Sequence, residues 1–205
     1  MSRIAVLDFE TTGLSPDQGD RATEVAIVLL ENGVVRDRYQ SLLNAGVRIP
    51  AFITELTGIT DAMVRAAPPA KVVMAQAAAF VGSTPLVAHN ASFDQRFWTS
   101  ELRRAGLPAP HPFACTLLTS RRLYPAAPNH RLDTLASFHG LRRTGTAHRA
   151  LADAELAAAL LHRILDDLRS QYRVSAPDHG LLMRMQSVPR AGVPRFLARE
   201  ARAEA

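Results

Sequence analysis

EVAIVLLENGVVRDRY, residues 24–39, reads as two strands joined by a tight turn. Val25 to Leu30 is apolar without a break, the pattern of a strand covered on both faces. Asn32-Gly33 follows, and these two residues tolerate the positive φ that a two-residue hairpin turn requires. Val34 to Tyr39 then resumes a β-rich run. Working back, residues 3–9 (RIAVLDF) form a further strand ahead of the hairpin. The chain is therefore expected to begin as an antiparallel meander.

Working forward, the texture changes after Pro50. Residues 51–57 and 69–81 are expected to be helical, and Leu86-Val87-Ala88 is a short apolar strand. From Ser92, the spacing of Phe93, Phe97, Trp98 and Leu102 predicts a helix that Gly106 and Pro108 stop. Phe113 to Leu117 reads as another strand, followed by two helical stretches. A long helix from about His148 to Ser170 presents Leu156, Leu160, Ile164 and Leu168 on its buried face. A meander followed by alternating helices and strands predicts an α/β fold, with antiparallel N-terminal strands and later parallel strands in one mixed sheet flanked by helices.

The 205 residues, 47% of them hydrophobic, suffice for one well-buried core. We expect one domain over residues 1–170 and a basic, Pro- and Arg-containing extension over 171–205. No apolar run reaches membrane-spanning length, no leader is visible ahead of Arg3, and the single cysteine excludes an internal disulfide framework or a cysteine-rich zinc site. Cys115 reads as a small core residue, and a cytoplasmic location is expected. The net charge is +5 and unevenly spread. Through residue 90 there are seven Lys and Arg against nine Asp and Glu; beyond it there are seventeen against ten. That balance suits a polyanion held by arginines while chemistry takes place at carboxylates.

Three segments carry that chemistry. Alternation along the first strand puts Asp8 and Glu10 on one face at its end, where α/β proteins place their sites. Two carboxylates so close repel unless a cation sits between them, and oxygen ligands select hard ions such as Mg²⁺ or Mn²⁺. Asp94 stands just inside a helix start beside the apolar stripe of Phe93 and Phe97, where it also matches the helix dipole. Asp153 falls on the buried side of the last long helix, five residues after His148; a cap and a surface histidine would have the same spacing. Together the segments supply four carboxylates and a histidine at the ends of regular elements. Two-metal phosphoryl chemistry uses such a set: carboxylates clamp two ions, and a histidine takes the proton of the attacking water.

DFETTGL (8–14), ELTGIT (55–60), HNASFD (89–94) and HRALADA (148–154) resemble, in order and separation, the DnaQ-like 3′–5′ exonucleases with the DEDDh active-site pattern, which include the proofreading domains of DNA polymerase III. The resemblance spans roughly residues 3–169. It implies a ribonuclease H-like fold and two divalent metal ions, Mg²⁺ or Mn²⁺, held by Asp8, Glu10, Asp94 and Asp153. His148 is implied as general base, and Thr11, Thr12, Leu14, Leu56, Thr57, His89, Asn90 and Phe93 as the lining of the terminal-nucleotide pocket. Some members carry His where Thr57 stands. The implied reaction is hydrolysis of the last phosphodiester at a 3′ end, releasing a nucleoside 5′-monophosphate. DNA is favoured as substrate, with RNA-directed trimming as the alternative. A third reading makes the chain an interaction subunit of a polymerase complex, docked through Leu181, Leu182, Met183 and Met185 of the extension. Arg121, Arg122, Arg142 and Arg143 are candidates for phosphate contacts, and Asp133 reads as a helix cap.

Overall fold

The hairpin forms where the sequence places it. In the computed structural model, which describes residues 3–203, Asn32 and Gly33 have φ of 52° and 81°. They join β2 (Ala22–Glu31) to β3 (Val34–Leu42), and β2 pairs antiparallel with β1 (Arg3–Thr11). The outer residues 1–2 and 204–205 of the two expected segments lie outside the described residues.

Helices α1 (Ala51–Thr57), α2 (Asp61–Ala66) and α3 (Ala70–Val81) lead to β4 (Leu86–Ala88), which pairs parallel with β1. Then come α4 (Ala91–Ala105), β5 (Phe113–Cys115), α5 (Thr116–Leu123), α6 (Leu132–His139) and α7 (Ala150–Ser170). β5 is parallel to β4, so the five-stranded sheet runs β3-β2-β1-β4-β5 and is mixed, as the meander and the later alternation require.

Each face of β1 feeds a different core. Ile4 and Val6 pack with α7 through Leu160, Leu161, Ile164 and Leu168, while Ala5, Leu7 and Phe9 pack with α3 and α4 through Val73, Met74, Phe97 and Trp98. Because side chains alternate, Asp8 and Glu10 continue the row of Ile4 and Val6 onto the α7 side. Edge strand β3 is exposed over most of its length and carries Arg36, Asp37 and Arg38, charges that discourage pairing with another chain.

Four boundaries differ from expectation. The strand expected over 113–117 stops at Cys115, because its partner β4 ends at Ala88, the residue paired with Cys115; Thr116 and Leu117 open α5. The last long helix begins at Ala150 rather than His148, whose φ of 58° lies outside the helical region. Helix α2 has only six residues and was not anticipated; the Thr60 hydroxyl accepts the Met63 N–H at its start. Residues beyond Gln171 form α8 (His179–Met185) and α9 (Val193–Ala203). Leu181, Leu182, Met185, Val193 and Leu197 are buried in the α7-side core, and Met183 packs against it. Gln186 Oε1 accepts the edge-strand N–H of Cys115 at 2.8 Å, and the Leu86 carbonyl accepts from His179 Nε2 at 2.9 Å. The apolar side chains considered for docking thus cover the β5 edge of their own sheet. No described helix is long and apolar enough to cross a membrane.

Candidate active site

β1, α4 and α7 deliver their carboxylates to one place. Carboxylate oxygens of Asp8, Glu10 and Asp153 lie within 4.8 Å of one another, all three residues half-buried. Asp94, 2% exposed in the first turn of α4, adjoins them: its Oδ1 accepts the N–H of Phe9, the residue between Asp8 and Glu10, at 3.2 Å. Asp153 sits in the first turn of α7, where Oδ2 accepts the His148 N–H at 3.0 Å and Oδ1 accepts from Arg143. His148 therefore touches the cluster through its backbone. The residue is exposed and stands in the left-handed region, which histidine enters more readily than most residues.

Like charge crowds the cluster, and among the described residues only Arg143 at Asp153 and Arg149 near Glu10 offset it. Burial first, then Asp94, Glu10, Asp153 and Glu24, pushes the Asp8 carboxyl well above its usual range. Burial also raises Asp94, against the Phe9 hydrogen bond that favours its ionised form. Glu10 is pushed up to about 8 by burial and by Asp153 and Glu24, with Arg149 opposing. Among the described residues no ion pair is formed by Asp8, Glu10 or Asp94. The all-oxygen donor set of these carboxylates fits a divalent hard cation, which would supply counter-charge there.

Stability without metal should follow from the same repulsion. Glu10 keeps its proton up to about pH 8 in the folded chain and releases it near 4.5 when unfolded. Between those values the folded state binds more protons, so stability falls as the pH rises through this window and is fully reduced above it. In EDTA, the Tm of the wild-type protein relative to Glu10→Gln is expected to drop between about pH 5 and pH 8. A difference that is flat or rises across that range would contradict this.

Sequence reasoning missed the residue that holds this arrangement together. Glu24, 1% exposed, lies directly opposite Glu10 in the β1–β2 register. Arg149 donates to it through Nε at 3.0 Å and Nη2 at 2.8 Å, the Ala150 N–H at 3.1 Å and Gln40 at 2.7 Å. Burial alone would raise Glu24, but these hydrogen bonds outweigh it and hold the carboxyl below its ordinary value. The start of α7, with His148 on one side and Asp153 on the other, is thereby pinned to β2. A charged residue directly ahead of the apolar run Val25–Leu30 was the available signal. Glu24→Ala leaves Arg149 and the Ala150 N–H without their partner, and is expected to lower stability by about 3 kcal/mol. A denaturant titration measures this; a change below about 1 kcal/mol would show that the clamp contributes little.

Asp133 is not the cap it was read as. The α6 N-cap position is Arg131, and the Asp133 carboxylate instead accepts from Arg143, which bridges it to Asp153. Of the other arginines singled out, Arg122 donates to the Leu118 and Val188 carbonyls, while Arg121 and Arg142 are exposed.

The residues implied for the nucleotide pocket divide into two groups. Leu14 and Leu56 are 77% and 50% exposed, Asn90 is exposed, and Phe93 packs at the core margin with its ring 4.9 Å from that of Phe97. Thr11, Thr12 and Thr57 are buried. Their hydroxyls bond to Gly13 O, to Asp20 and the Arg21 N–H, and to Ile53 O and the Ile59 N–H. His89 is held between Thr116 Oγ1 at 2.9 Å and the His130 carbonyl at 3.0 Å.

A mixed sheet that brings Asp8, Glu10 and Asp153 together with Asp94 beside them has the carboxylate arrangement of a metal-dependent hydrolase. Residues 5–161 match the exonuclease family, and the chain belongs to it, in keeping with the DnaQ-like resemblance. It is 40% identical over 167 residues to the PolC-type DNA polymerase III of Halalkalibacterium halodurans, covering 81% of this chain and 12% of that protein. It is 36% identical over 168 residues to the 3′–5′ exonuclease DinG of Bacillus subtilis, covering 82% of this chain and 18% of that protein. The chain thus spans less than a fifth of the length of these relatives. Among solved structures it resembles exonuclease X in complex with 5′ overhanging duplex DNA, with a TM-score of 0.72 and 27% identity over 90% of this chain and 99% of that one.

Proposed function

We propose that this chain hydrolyses the terminal phosphodiester at the 3′ end of single-stranded DNA and releases nucleoside 5′-monophosphates. The observation that carries this is the convergence of Asp8, Glu10, Asp94 and Asp153 at the ends of three elements, with His148 fixed to Asp153 through its backbone. These carboxylates are assigned to hold two Mg²⁺ or Mn²⁺ ions. Such ions lower the pKa of an attacking water and take up charge on the leaving oxygen. The exposed ring of His148 is placed to receive the water's proton. Leu14 and Leu56 offer exposed apolar surface against which a terminal base can pack, we assign Asn90 and Phe93 to the same pocket, and Thr11, Thr12, Thr57 and His89 set the local backbone by their internal hydrogen bonds. We assign catalysis to residues 1–170, with 171–205 as an extension whose α8 region buttresses the β5 edge, and place the protein in the cytoplasm.

DNA is favoured because one relative named above is a DNA polymerase III and the solved neighbour is in complex with 5′ overhanging duplex DNA. Chromatography of products from deoxy- and ribo-oligomers of one sequence tests both points. Deoxynucleoside 5′-monophosphates, formed faster than ribonucleotides, are expected. Faster release from RNA would move the assignment to an exoribonuclease or oligoribonuclease, and 3′-monophosphates would contradict the chemistry. The PolC-type relatives favour one further reading, a proofreading unit of a polymerase. A partner docked on the extension would then use its exposed faces, such as the arginine-bearing side of α9, since Leu181, Leu182 and Met185 are buried.

A further inference from the structure

A cleft of about 560 Å³ lies between the start of α4 and the segment leading into α6, lined by His89, Asn90, Arg121, Asn129, His130 and Arg131. Each of its two walls connects to the carboxylate cluster, one along the chain and one through Arg143. Asn90 immediately precedes α4, whose first turn carries Asp94. The segment on the other wall runs into Asp133, which Arg143 ties to Asp153. Its size falls in the range of sites that hold a small organic ligand, with room for about one nucleotide.

The charge of the cleft is one-sided. No Asp or Glu lines it, and among the described residues neither the Arg121 nor the Arg131 guanidinium forms an ion pair. Both residues are exposed. The neighbouring arginines are occupied, Arg122 by the Leu118 and Val188 carbonyls, Arg143 by Asp133 and Asp153, Arg149 by Glu24. The walls are also fixed before any ligand arrives. The His89 ring bridges Thr116 and the His130 carbonyl, His130 Nε2 donates to the Tyr124 carbonyl at 3.1 Å, and Asn129 accepts the Arg131 N–H at 3.0 Å. Burial pushes His89 down to about 4, so it is neutral near pH 7 and anionic charge here has to be met by the two arginines. Asn90, with φ of 68°, makes no side-chain cap to α4 and forms part of the cleft's lining.

We propose that this cleft seats the sugar–phosphate backbone of the substrate strand on the 5′ side of the scissile bond, with Arg121 and Arg131 gripping non-bridging phosphate oxygens. The proposal rests on the nucleic-acid reading above and gives it a direction: the 3′ end lies at the carboxylates and the strand leaves past the mouth of α4. Phosphate contacts fix position without reading sequence, so the grip is indifferent to base identity.

Fluorescence anisotropy of a short 5′-fluorescein-labelled oligothymidylate, titrated in EDTA over a range of NaCl concentrations, tests it without turnover. Each phosphate contact to a single strand contributes about 0.7 to the slope of log K against log salt, so Arg121→Gln with Arg131→Gln should lower the slope by about 1.4. That difference amounts to roughly 25-fold weaker binding at ~0.1 M salt. Arg104→Gln, at the far end of α4, should bind like the wild type. A double variant that binds like the wild type, an equal loss from Arg104→Gln, or a wild-type protein that fails to hold the oligomer would each overturn the proposal. Because binding is read without metal, absence of trimming in Mg²⁺ speaks against the exonuclease reading alone.

Discussion

Asp8→Ala is expected to reduce turnover by at least roughly a thousandfold while leaving a folded protein. Metal-borne charge stabilisation in phosphoryl transfer is worth several kcal/mol, and about 4 kcal/mol already corresponds to that factor. Asp8 is the carboxylate on which the other four acidic groups converge electrostatically, so removing it takes away the centre of the donor set. The same substitution relieves repulsion that no cation balances in the absence of metal. In EDTA the variant should therefore melt at or slightly above the wild-type temperature, and Mn²⁺ should raise its Tm less than that of the wild type. Activity above trace level in a well-folded Asp8→Ala protein would remove Asp8 from the metal-holding set.

His148→Ala should cost less, about 10²–10⁴-fold in kcat, the range of a single general base. Among the described residues its ring makes no hydrogen bond to the carboxylates, and its N–H reaches Asp153 at 3.0 Å. Metal affinity, followed by calorimetry with Mn²⁺, should accordingly stay within a few-fold of wild type. Since alanine tolerates the left-handed backbone at position 148 poorly, His148→Asn is the companion variant: asparagine keeps that conformation but has no comparable base. Equal losses in both variants support proton transfer. A loss matching that of Asp8→Ala, together with weakened Mn²⁺ binding, would make His148 a ligand instead.

What could be read from the sequence was what short-range periodicity and turn chemistry encode. The Asn32-Gly33 turn, the alternation that sets Asp8 and Glu10 on one face, and the Phe97, Trp98 and Leu102 stripe each depend on a few neighbouring residues, and each is present in the fold. The start of α7 was misplaced because its position is set from 125 residues away, by Glu24 holding Arg149 and the Ala150 N–H. Arg143 escaped notice as a partner of Asp153 for a related reason: it reaches back from an irregular segment whose geometry no pattern specifies. Helices α8 and α9 went unread since prolines and arginines dilute their apolar positions, and only the packed core reveals Leu181, Leu182, Met185 and Leu197 as one surface. Composition gave no sign of Thr11, Thr12 and Thr57 turning their hydroxyls inward, because a threonine in a loop bonds equally well to its own backbone or to a ligand.

The most direct measurement is a gel time course on 5′-labelled single-stranded DNA incubated with the wild-type protein in Mg²⁺ and, in parallel, in EDTA. Stepwise shortening from the 3′ end in Mg²⁺, with none in EDTA, is the expected result. A full-length band that persists with a folded protein in both Mg²⁺ and Mn²⁺, or a ladder that forms unchanged in EDTA, would contradict metal-dependent 3′-end hydrolysis at this carboxylate site.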